Sequence, residues 1–161
     1  MLQFREAVEK DISLILKFIK ELADYEKLLD DVTNNEKLIK EWLFDKKIAR
    51  TVFLVLDDKE IGFFIYFYNY STFTGKAGIY LEDLFIKEEY RGKGYGRKVF
   101  EYLENKALEE GCGRMEWVCL NWNKDSIEFY KKRGAIPMDE WTTYRKSFWQ
   151  KSNWLFFNNI V

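Results

Sequence analysis

The sequence predicts an α/β protein of the mixed α+β kind, in which helices flank a central mixed β-sheet. The chain has 161 residues, the length of one ordinary domain, and 47% of them are hydrophobic, so it can bury a core. Helical segments follow two of the later strand-like runs, which is typical of a sheet covered by helices. With a single proline there is no Pro-rich linker. We therefore expect one domain over residues 1–148 and a short tail of uncertain role over residues 149–161.

The first half of the chain predicts a strand, two helices and a hairpin. Gln3–Val8 is a strand-like run, and Asp11 stands as a helix N-cap before apolar residues at helical spacing. Thr33–Glu36 fits a capping box before a second apolar stripe. Two β-rich runs, Thr51–Leu56 and Ile61–Tyr68, flank four polar residues, which predicts a β-hairpin.

The second half predicts strands that alternate with helices. A helix should begin at Lys124 or Asp125 and stop at Gly134, because glycine often follows the last helical turn. The other expected elements, in chain order, are a polar loop at Asn69–Lys76, a strand at Gly78–Lys87, a helix at Gly96–Glu109, a strand at Arg114–Leu120 and a last strand at Trp141–Phe148.

Composition excludes several kinds of chemistry and of partner. There are no histidines, so a Ser-His-Asp or Cys-His nucleophile cannot be built, and a zinc site would lack its usual nitrogen ligands; we expect no metal. The net charge of -1 argues against nucleic acid as a partner. Two thiols, Cys112 and Cys119, and an N-terminus without a long apolar run predict a cytosolic protein with no signal peptide and no membrane span.

The most informative segment is the glycine-rich run Arg91–Arg97. It follows an apolar strand and opens a helix, so its backbone N–H groups and the helix dipole favour an anion such as a pyrophosphate. A Walker loop would need a Gly-Lys-Ser/Thr sequence after a longer spacer, and a dinucleotide-binding fingerprint would need G-x-G-x-x-G; neither is present. A plain glycine-rich turn with solvated charges remains the alternative.

Arg91–Gly96 resembles the Arg/Gln-x-x-Gly-x-Gly/Ala motif of the GNAT acetyltransferases, and the predicted order of strands and helices is similar to that fold. The resemblance runs from about Gln3 to Phe148. Further segments resemble the diamine (spermidine/spermine) and thialysine acetyltransferase branch. These segments are Tyr80–Leu84, Glu88–Gly96, Trp122–Asn123 and Phe129–Ala135.

This resemblance implies acetyl-CoA as the cofactor and a set of residues that bind it. Backbone groups of the strand before the loop would pair with the pantetheine arm, as in β-strand addition. The loop would hold the pyrophosphate, and the next strand-helix junction would contact the cofactor. The residues implied are Leu84, Phe85, Ile86, Arg91, Gly92, Lys93, Gly94, Tyr95, Gly96, Arg97, Asn123, Lys124, Asp125, Ser126 and Tyr130.

The implied chemistry is attack of an amine on a thioester, directly and without an acyl-enzyme. An alkylammonium has a pKa of roughly 10.4, so supplying the neutral amine near neutral pH costs about 4 kcal/mol. The resemblance implies that Glu82 accepts the amine proton, directly or through water, and that Tyr130 protonates the departing thiolate. Spacing alone favours a solvated strand residue for Glu82 and a half-buried core residue for Tyr130.

The resemblance also implies a small amine as the acceptor substrate, because cations are recognised by carboxylates and aromatic faces. A polyamine or diamine, a thialysine-like amino acid and a protein lysine all stay open, as does a non-catalytic coenzyme A-binding module. A homodimer is expected. The aromatic tail residues Trp149, Trp154, Phe156 and Phe157 could pack across its interface, and the alternatives are a disordered end or extra sequence foreign to the domain. Burial is favoured, because an exposed apolar patch would invite association. The residues implied in acceptor binding are Tyr25, Glu26, Glu82, Asp83, Glu116, Trp117, Val118 and Asp139.

Overall fold

The computed structural model describes residues 1–148, and the predictions for the aromatic tail lie outside that range. The chain divides into two compact units, residues 1–118 and the part that begins at Cys119. The first unit contains the whole of a five-stranded sheet, with strand order β1-β2-β3-β4-β5. Its elements are β1 (Leu2–Glu6), α1 (Ile12–Tyr25), α2 (Glu36–Ile39), β2 (Arg50–Leu56), β3 (Lys59–Ser71), β4 (Lys76–Ile86), α3 (Tyr95–Glu109) and β5 (Arg114–Trp117).

The sheet is mixed, as the sequence predicts. Strands β1 to β4 pair antiparallel in chain order, and β5 is added to β4 in the parallel direction after α3. The crossover through α3 is what parallel pairing requires, because two parallel strands cannot be joined by a tight turn. Directly after α2 the chain continues as a π-helical segment, Lys40–Asp45.

One face of the sheet packs against α1 through an aromatic cluster. α1 is amphipathic, and it buries Ile15, Phe18 and Leu22. The Phe18 ring is 5.3 Å from the Phe63 ring and 6.2 Å from the Phe85 ring, centroid to centroid. Phe85 belongs to β4, so this cluster connects α1 directly to the strand that carries the candidate site.

The opposite face of the sheet packs against α3. This helix buries Val99, Phe100 and Leu103. The Phe100 ring meets Trp117 of β5 edge-to-face at 5.0 Å, and Tyr102 contacts the Phe64 ring of β3 at 5.7 Å. Two helical layers therefore enclose the sheet, and the start of α3 is held close to the end of β4.

The hairpin between β2 and β3 is tighter than the sequence predicts. Only Asp57 and Asp58 form the turn, and both have a positive φ, of 49° and 61°. A two-residue turn of this kind suits the twist of the flanking strands, and Asp tolerates the left-handed region better than most residues. β3 accordingly starts at Lys59 instead of Ile61.

Two predictions in the first half of the chain are wrong in detail. The cap of α2 is Asn35 and not Thr33: the Asn35 side chain accepts a hydrogen bond from the Leu38 N–H at 3.1 Å. The loop predicted at Asn69–Lys76 is shorter than expected: β3 runs to Ser71 and β4 begins at Lys76, so only residues 72–75 form the turn. Its polar residues lie at the exposed end of the β3–β4 hairpin. Polar residues are common at exposed positions in strands as well as in loops, so they do not identify the conformation.

Two predicted strands of the second half also differ. β5 ends at Trp117 and does not reach Leu120. Trp141–Phe148 forms no strand, although its aromatic and β-branched residues have strand propensity. A strand requires a ladder partner, and the large side chains of Trp141, Tyr144 and Phe148 are exposed. Strand propensity alone is therefore not enough to make Trp141–Phe148 a strand.

The second unit contains one helix, α4 (Lys124–Lys132), within its described residues. The Asn123 side chain caps its start by accepting a hydrogen bond from the Ser126 N–H at 3.3 Å. The predicted stop is confirmed, because Gly134 follows the helix with a φ of 83°. Within residues 1–148, no helix has both the length and the apolar character needed to cross a membrane.

Replacing Phe18 by Ala should destabilise the protein by about 3–5 kcal/mol, because it leaves a cavity among Phe53, Phe63 and Phe85. Phe18 is 1% exposed. Urea unfolding followed by circular dichroism measures the change. The matched control is Phe73→Ala, since Phe73 is 96% exposed and its loss should change the free energy of unfolding by less than about 0.5 kcal/mol. Equal effects of the two substitutions would contradict this packing.

Candidate active site

A β-bulge in β4 lies at Glu82. Ile65 of β3 pairs with Asp83, and the next residue, Tyr66, pairs with Leu81, so Glu82 is the extra residue without an opposite partner. Bulges bend a strand and redirect its side chains, and they are frequent next to active sites. Glu82 is exposed and Asp83 is partly buried. The bulge thus brings two consecutive carboxylates to one point of the sheet.

One edge of β4 opens at the same point. β5 pairs with β4 only from Gly78 to Leu81, and within residues 1–118 no strand pairs with this edge of Glu82–Ile86. The Lys87 N–H donates to the Ile61 carbonyl at 3.0 Å. Backbone groups alternate in direction along a strand, so those of Lys87, Phe85 and Asp83 face β3. Those of Leu84 and Ile86 face away from β3. An extended amide chain can add to the groups of Leu84 and to the Ile86 N–H, whereas the Ile86 carbonyl accepts a hydrogen bond from Arg91.

The glycine loop follows this edge directly. Gly92 and Gly94 have φ of 72° and 81°, and a Cβ built at either position would meet no atom within 4 Å. The requirement for glycine here is therefore conformational. Gly94 is the N-cap of α3 and supplies no side chain, and the first helical hydrogen bond runs from the Lys98 N–H to the Gly94 carbonyl at 3.2 Å.

The start of α3 has the properties of an anion site. Its first N–H groups have no acceptor within the helix, and no acidic residue stands in the first turn. Lys93 and Arg97 are exposed beside it. Arg97 pairs with Glu101 one turn along at 2.8 Å, and the Lys93 ammonium lies 5.3 Å from the centre of the Tyr90 ring.

Arg91 is placed differently from these two cations. Its Nε donates a hydrogen bond to the Ile86 carbonyl at 2.8 Å. Its guanidinium carbon lies 4.3 Å from the centre of the Tyr25 ring and 5.5 Å from that of Phe85. The side chain therefore turns back from the loop and joins the end of β4 to the end of α1.

A third carboxylate, Glu26, joins the two at the bulge. Glu26 caps the C-terminal end of α1, and burial raises its pKa. The pKa of Asp83 is raised to about 7 by burial first, and then by the negative charges of Glu82 and Glu26. Sequence-distant residues 26 and 82–83 thus form one acidic cluster, with the Tyr25 ring beside it.

The predicted residues of β5 are held in other contacts. The Glu116 carboxylate accepts from the Asn69 amide at 2.7 Å and pairs with Arg114 at 3.0 Å. Trp117 packs under α3, and Val118 is exposed. Asn69 and Arg114 were missed by the sequence interpretation. No sequence signal marks them, because the pairing of Asn69 with Gly78 places them only after the sheet has formed.

The remaining predicted residues lie in the second unit. Asn123 to Ser126 form the capped first turn of α4, and Lys124 and Asp125 are exposed there. Tyr130 is partly buried in the second half of that helix, and its ring contacts Phe129 at 5.5 Å. Asp139 is exposed in the loop after α4. The helix brings the Asn123–Ser126 set and Tyr130 onto one short element.

Asp83→Asn should remove a pH dependence of stability. A carboxyl whose pKa is about 3.9 unfolded and about 7 folded lowers stability as the pH rises between these values, because the folded state holds the proton more tightly. Between pH 5 and pH 8 the native protein should lose about 2 kcal/mol relative to the variant. Urea unfolding at both pH values measures this difference.

The control for that experiment is Asp58→Asn, in the exposed turn between β2 and β3. Asn tolerates its positive φ as Asp does, so the pH dependence should stay as in the native protein. If Asp83→Asn keeps the native pH dependence as well, Asp83 is not the group responsible.

Known proteins share this arrangement of elements. Residues 16–135 match the acetyltransferase (GNAT) family. The chain is 35% identical over 153 residues to a thialysine N-epsilon-acetyltransferase of Sus scrofa, covering 88% of this chain and 89% of the relative. It is 30% identical over 154 residues to a spermidine/spermine N(1)-acetyltransferase-like protein 1 of Homo sapiens, covering 89% of this chain and 22% of the relative.

Solved structures agree on the fold. An integron cassette protein from the mobile metagenome of V. cholerae matches with a TM-score of 0.75 at 25% identity, covering 91% of this chain and 92% of that one. A ribosomal-protein-alanine N-acetyltransferase from Brucella melitensis matches with a TM-score of 0.71 at 17% identity, covering 92% of this chain and 100% of that one. By the extent of the family match and the identity to its relatives, this chain belongs to the GNAT family of acetyltransferases.

Proposed function

We propose that this enzyme moves an acetyl group from acetyl-CoA to a primary amine of a small molecule, a polyamine or diamine or a thialysine-like amino acid. The names of the thialysine and spermidine/spermine relatives support this class of acceptor. The observation that carries the proposal is the acidic cluster of Glu26, Glu82 and Asp83 beside an open strand edge. Carboxylates recognise an ammonium group, and the edge suits an amide-bearing thioester.

The residues at the glycine loop fit coenzyme A. The outward backbone groups of Leu84 and the Ile86 N–H suit the pantetheine amides, with Phe85 between them packed into the core. The left-handed glycines and the uncapped start of α3 suit the pyrophosphate, with Lys93 and Arg97 adding positive charge. We propose that Asn123–Ser126 contact the cofactor at the start of α4. When bound, acetyl-CoA supplies the reactive thioester.

Glu82 is our proposed proton acceptor. As the extra residue of the bulge it is exposed, so an entering ammonium group or an ordered water can reach its carboxylate. Removing the amine proton is the step that neutral solution makes costly, by about 4 kcal/mol. A positioned carboxylate lowers that cost by accepting the proton as the amine attacks.

Tyr130 is our proposed proton donor to the departing thiolate. A phenol can donate one hydrogen bond, and its ordinary pKa of about 10 keeps it protonated at neutral pH. Its partial burial on α4 restricts the ring, which a directed proton transfer needs. No residue of the chain is acylated in this scheme, so the amine attacks the thioester directly.

The acceptor is held, in this proposal, by Tyr25, Glu26 and Asp83 around Glu82. The raised pKa of Asp83 has a consequence: a bound cation should lower it, so amine binding near neutral pH should release a proton. Glu116, Trp117, Val118 and Asp139 are further candidates. Glu116 can contribute only part of its charge, because Arg114 already pairs with it.

We also propose that residues 1–148 act as one catalytic domain and that the protein is a cytosolic homodimer. The family match over residues 16–135 supports the first point. Within the described residues, Cys112 and Cys119 form no disulfide with each other, which agrees with a reducing compartment. Exposed Ile136, Trp141 and Phe148 supply apolar area for a subunit contact. Sedimentation velocity measures the oligomeric state.

The test of the acceptor class is release of coenzyme A from acetyl-CoA with a panel of amines. The panel contains spermidine, spermine, putrescine, thialysine, lysine, an aminoglycoside and a histone-tail peptide. We expect turnover with one class of small amines. Turnover with the peptide alone would replace this proposal by a protein acetyltransferase. Tight binding of acetyl-CoA with no turnover on any amine would favour a non-catalytic coenzyme A-binding module.

Glu82→Gln should lower kcat by about 10²–10⁴-fold, because a positioned general base contributes that much. Its acetyl-CoA Kd, measured by calorimetry, should stay within about twofold. Glu89→Gln serves as the control, since Glu89 is exposed in the turn before the glycine loop and should leave kcat unchanged. A Glu82→Gln enzyme with native kcat across pH 6–9 would remove Glu82 from the mechanism.

Tyr130→Phe should lower kcat by a similar factor while the acetyl-CoA Kd is kept, because it removes the hydroxyl and keeps the ring. The matched control is Tyr144→Phe, since Tyr144 is 91% exposed in the same unit. Replacing acetyl-CoA by an acetyl thioester of a more acidic thiol should partly restore the rate of Tyr130→Phe. The thiolate that leaves is then more stable, so its departure depends less on a proton donor. Native kcat in Tyr130→Phe would show that the proton comes from elsewhere.

A further inference from the structure

Arg91 joins two elements that the proposed reaction uses separately. Its Nε donates to the outward-facing carbonyl of Ile86, at the open end of β4, at 2.8 Å. Its guanidinium plane lies over the Tyr25 ring, with Cζ 4.3 Å from the ring centre. Tyr25 is the last residue of α1, and Glu26 of the acidic cluster follows it. One side chain therefore spans from the cofactor-binding strand to the acceptor-binding helix end.

The end of α1 is a hydrogen-bonded turn that contains one left-handed residue. Lys27 has a φ of 61°, in the left-handed region that non-glycine residues seldom adopt. The chain then continues through the exposed Leu28 and Leu29. The Glu26 N–H bonds to the Leu22 carbonyl at 2.9 Å, and the Leu28 N–H bonds to the Ala23 carbonyl at 2.8 Å. A stack on Tyr25 holds this turn from the side that faces β4.

The contact is specific to a guanidinium. Arginine can stack its planar group on an aromatic ring and donate in that plane at the same time, whereas the lysine ammonium is a point charge on a flexible stem. The neighbouring cations make no comparable bridge: Lys93 lies over Tyr90 of its own loop, and Arg97 pairs with Glu101 of its own helix. The charge of the loop and the bridge to α1 are thus separate properties of this segment.

We infer that Arg91 is a positioning residue for the acceptor site: its guanidinium, placed over the Tyr25 ring and bonded to the Ile86 carbonyl, fixes the end of α1 so that Glu26 lies near Asp83. The glycine loop then contributes to both the cofactor site and the acceptor site. Its glycines and the start of α3 face the cofactor, and its first residue shapes the amine-binding side. The kinetic test of this inference rests on the proposed function. The structural test depends only on the contacts of Arg91.

The structural test is hydrogen–deuterium exchange of the protein without ligands. Arg91→Lys should speed exchange of the Glu26 and Leu28 amides by about tenfold, because it keeps the charge and loses the planar bridge. Amides at the other end of α1 and in β2 should keep their protection. Native exchange at residues 26–28 in Arg91→Lys would overturn the inference, whatever the protein catalyses.

The kinetic test uses an amine that wild-type enzyme acetylates. Arg91→Lys and Arg91→Gln should both raise the amine KM by about tenfold, with acetyl-CoA Kd within about threefold of wild type for Arg91→Lys. Lys93→Gln is the matched control, and it should weaken acetyl-CoA binding without changing the amine KM. If Arg91→Lys behaves as wild type and only Arg91→Gln weakens acetyl-CoA, the residue acts as a phosphate-side charge and the inference is wrong.

A double-mutant cycle on the amine KM completes the test. Tyr25→Leu removes the ring that Arg91 covers, so adding Arg91→Lys to it should have little further effect. Full additivity of the two changes would overturn the proposed contact. Absence of turnover by the wild-type enzyme on every amine would instead reject the proposed function, and the exchange experiment would still decide the role of Arg91.

Discussion

The parallel pairing of β5 with β4 stops at Leu81, and the chemistry proposed for this protein depends on that stop. A continuous ladder would occupy the outward backbone groups of Leu84 and Ile86 and leave no place for an extended amide chain. The bulge at Glu82 occurs at the next residue, and it adds a local bend where pairing ends. The end of the β5 pairing and the adjacent bulge therefore together provide an open edge and an exposed carboxylate.

The acidic cluster is costly to form and needs a rigid frame. Asp83 is partly buried, and burial together with the charges of Glu82 and Glu26 raises its pKa, which lowers stability at neutral pH. The aromatic cluster of Phe18, Phe53, Phe63 and Phe85 lies under the same part of β4 and supplies compensating apolar burial. Destabilising features of this kind persist where the surrounding packing determines them, which is common at functional sites. Asp83 and Phe85 are two residues apart on β4, so the site and this core share one face of the strand.

The high aromatic content has a structural explanation. Rings fill both faces of the sheet, with Phe63 and Phe85 against α1 and with Phe64 and Phe100 on the side of α3. Tyr25 and Trp117 lie at the borders of these layers and also belong to the set predicted to bind the acceptor.

The sequence by itself determined the family, the glycine loop, most helices and strands, and the position of Glu82 before the loop. These features are local: left-handed glycines, a helix start and alternating apolar residues depend on neighbours in the chain. Only the tertiary structure decided where β5 ends, that Asn35 caps α2, and that Trp141–Phe148 forms no strand. It also decided that Glu26 meets Asp83 and that Arg91 turns back onto Tyr25. Such contacts join residues more than fifty positions apart, so they follow from packing and register, which local sequence patterns do not contain.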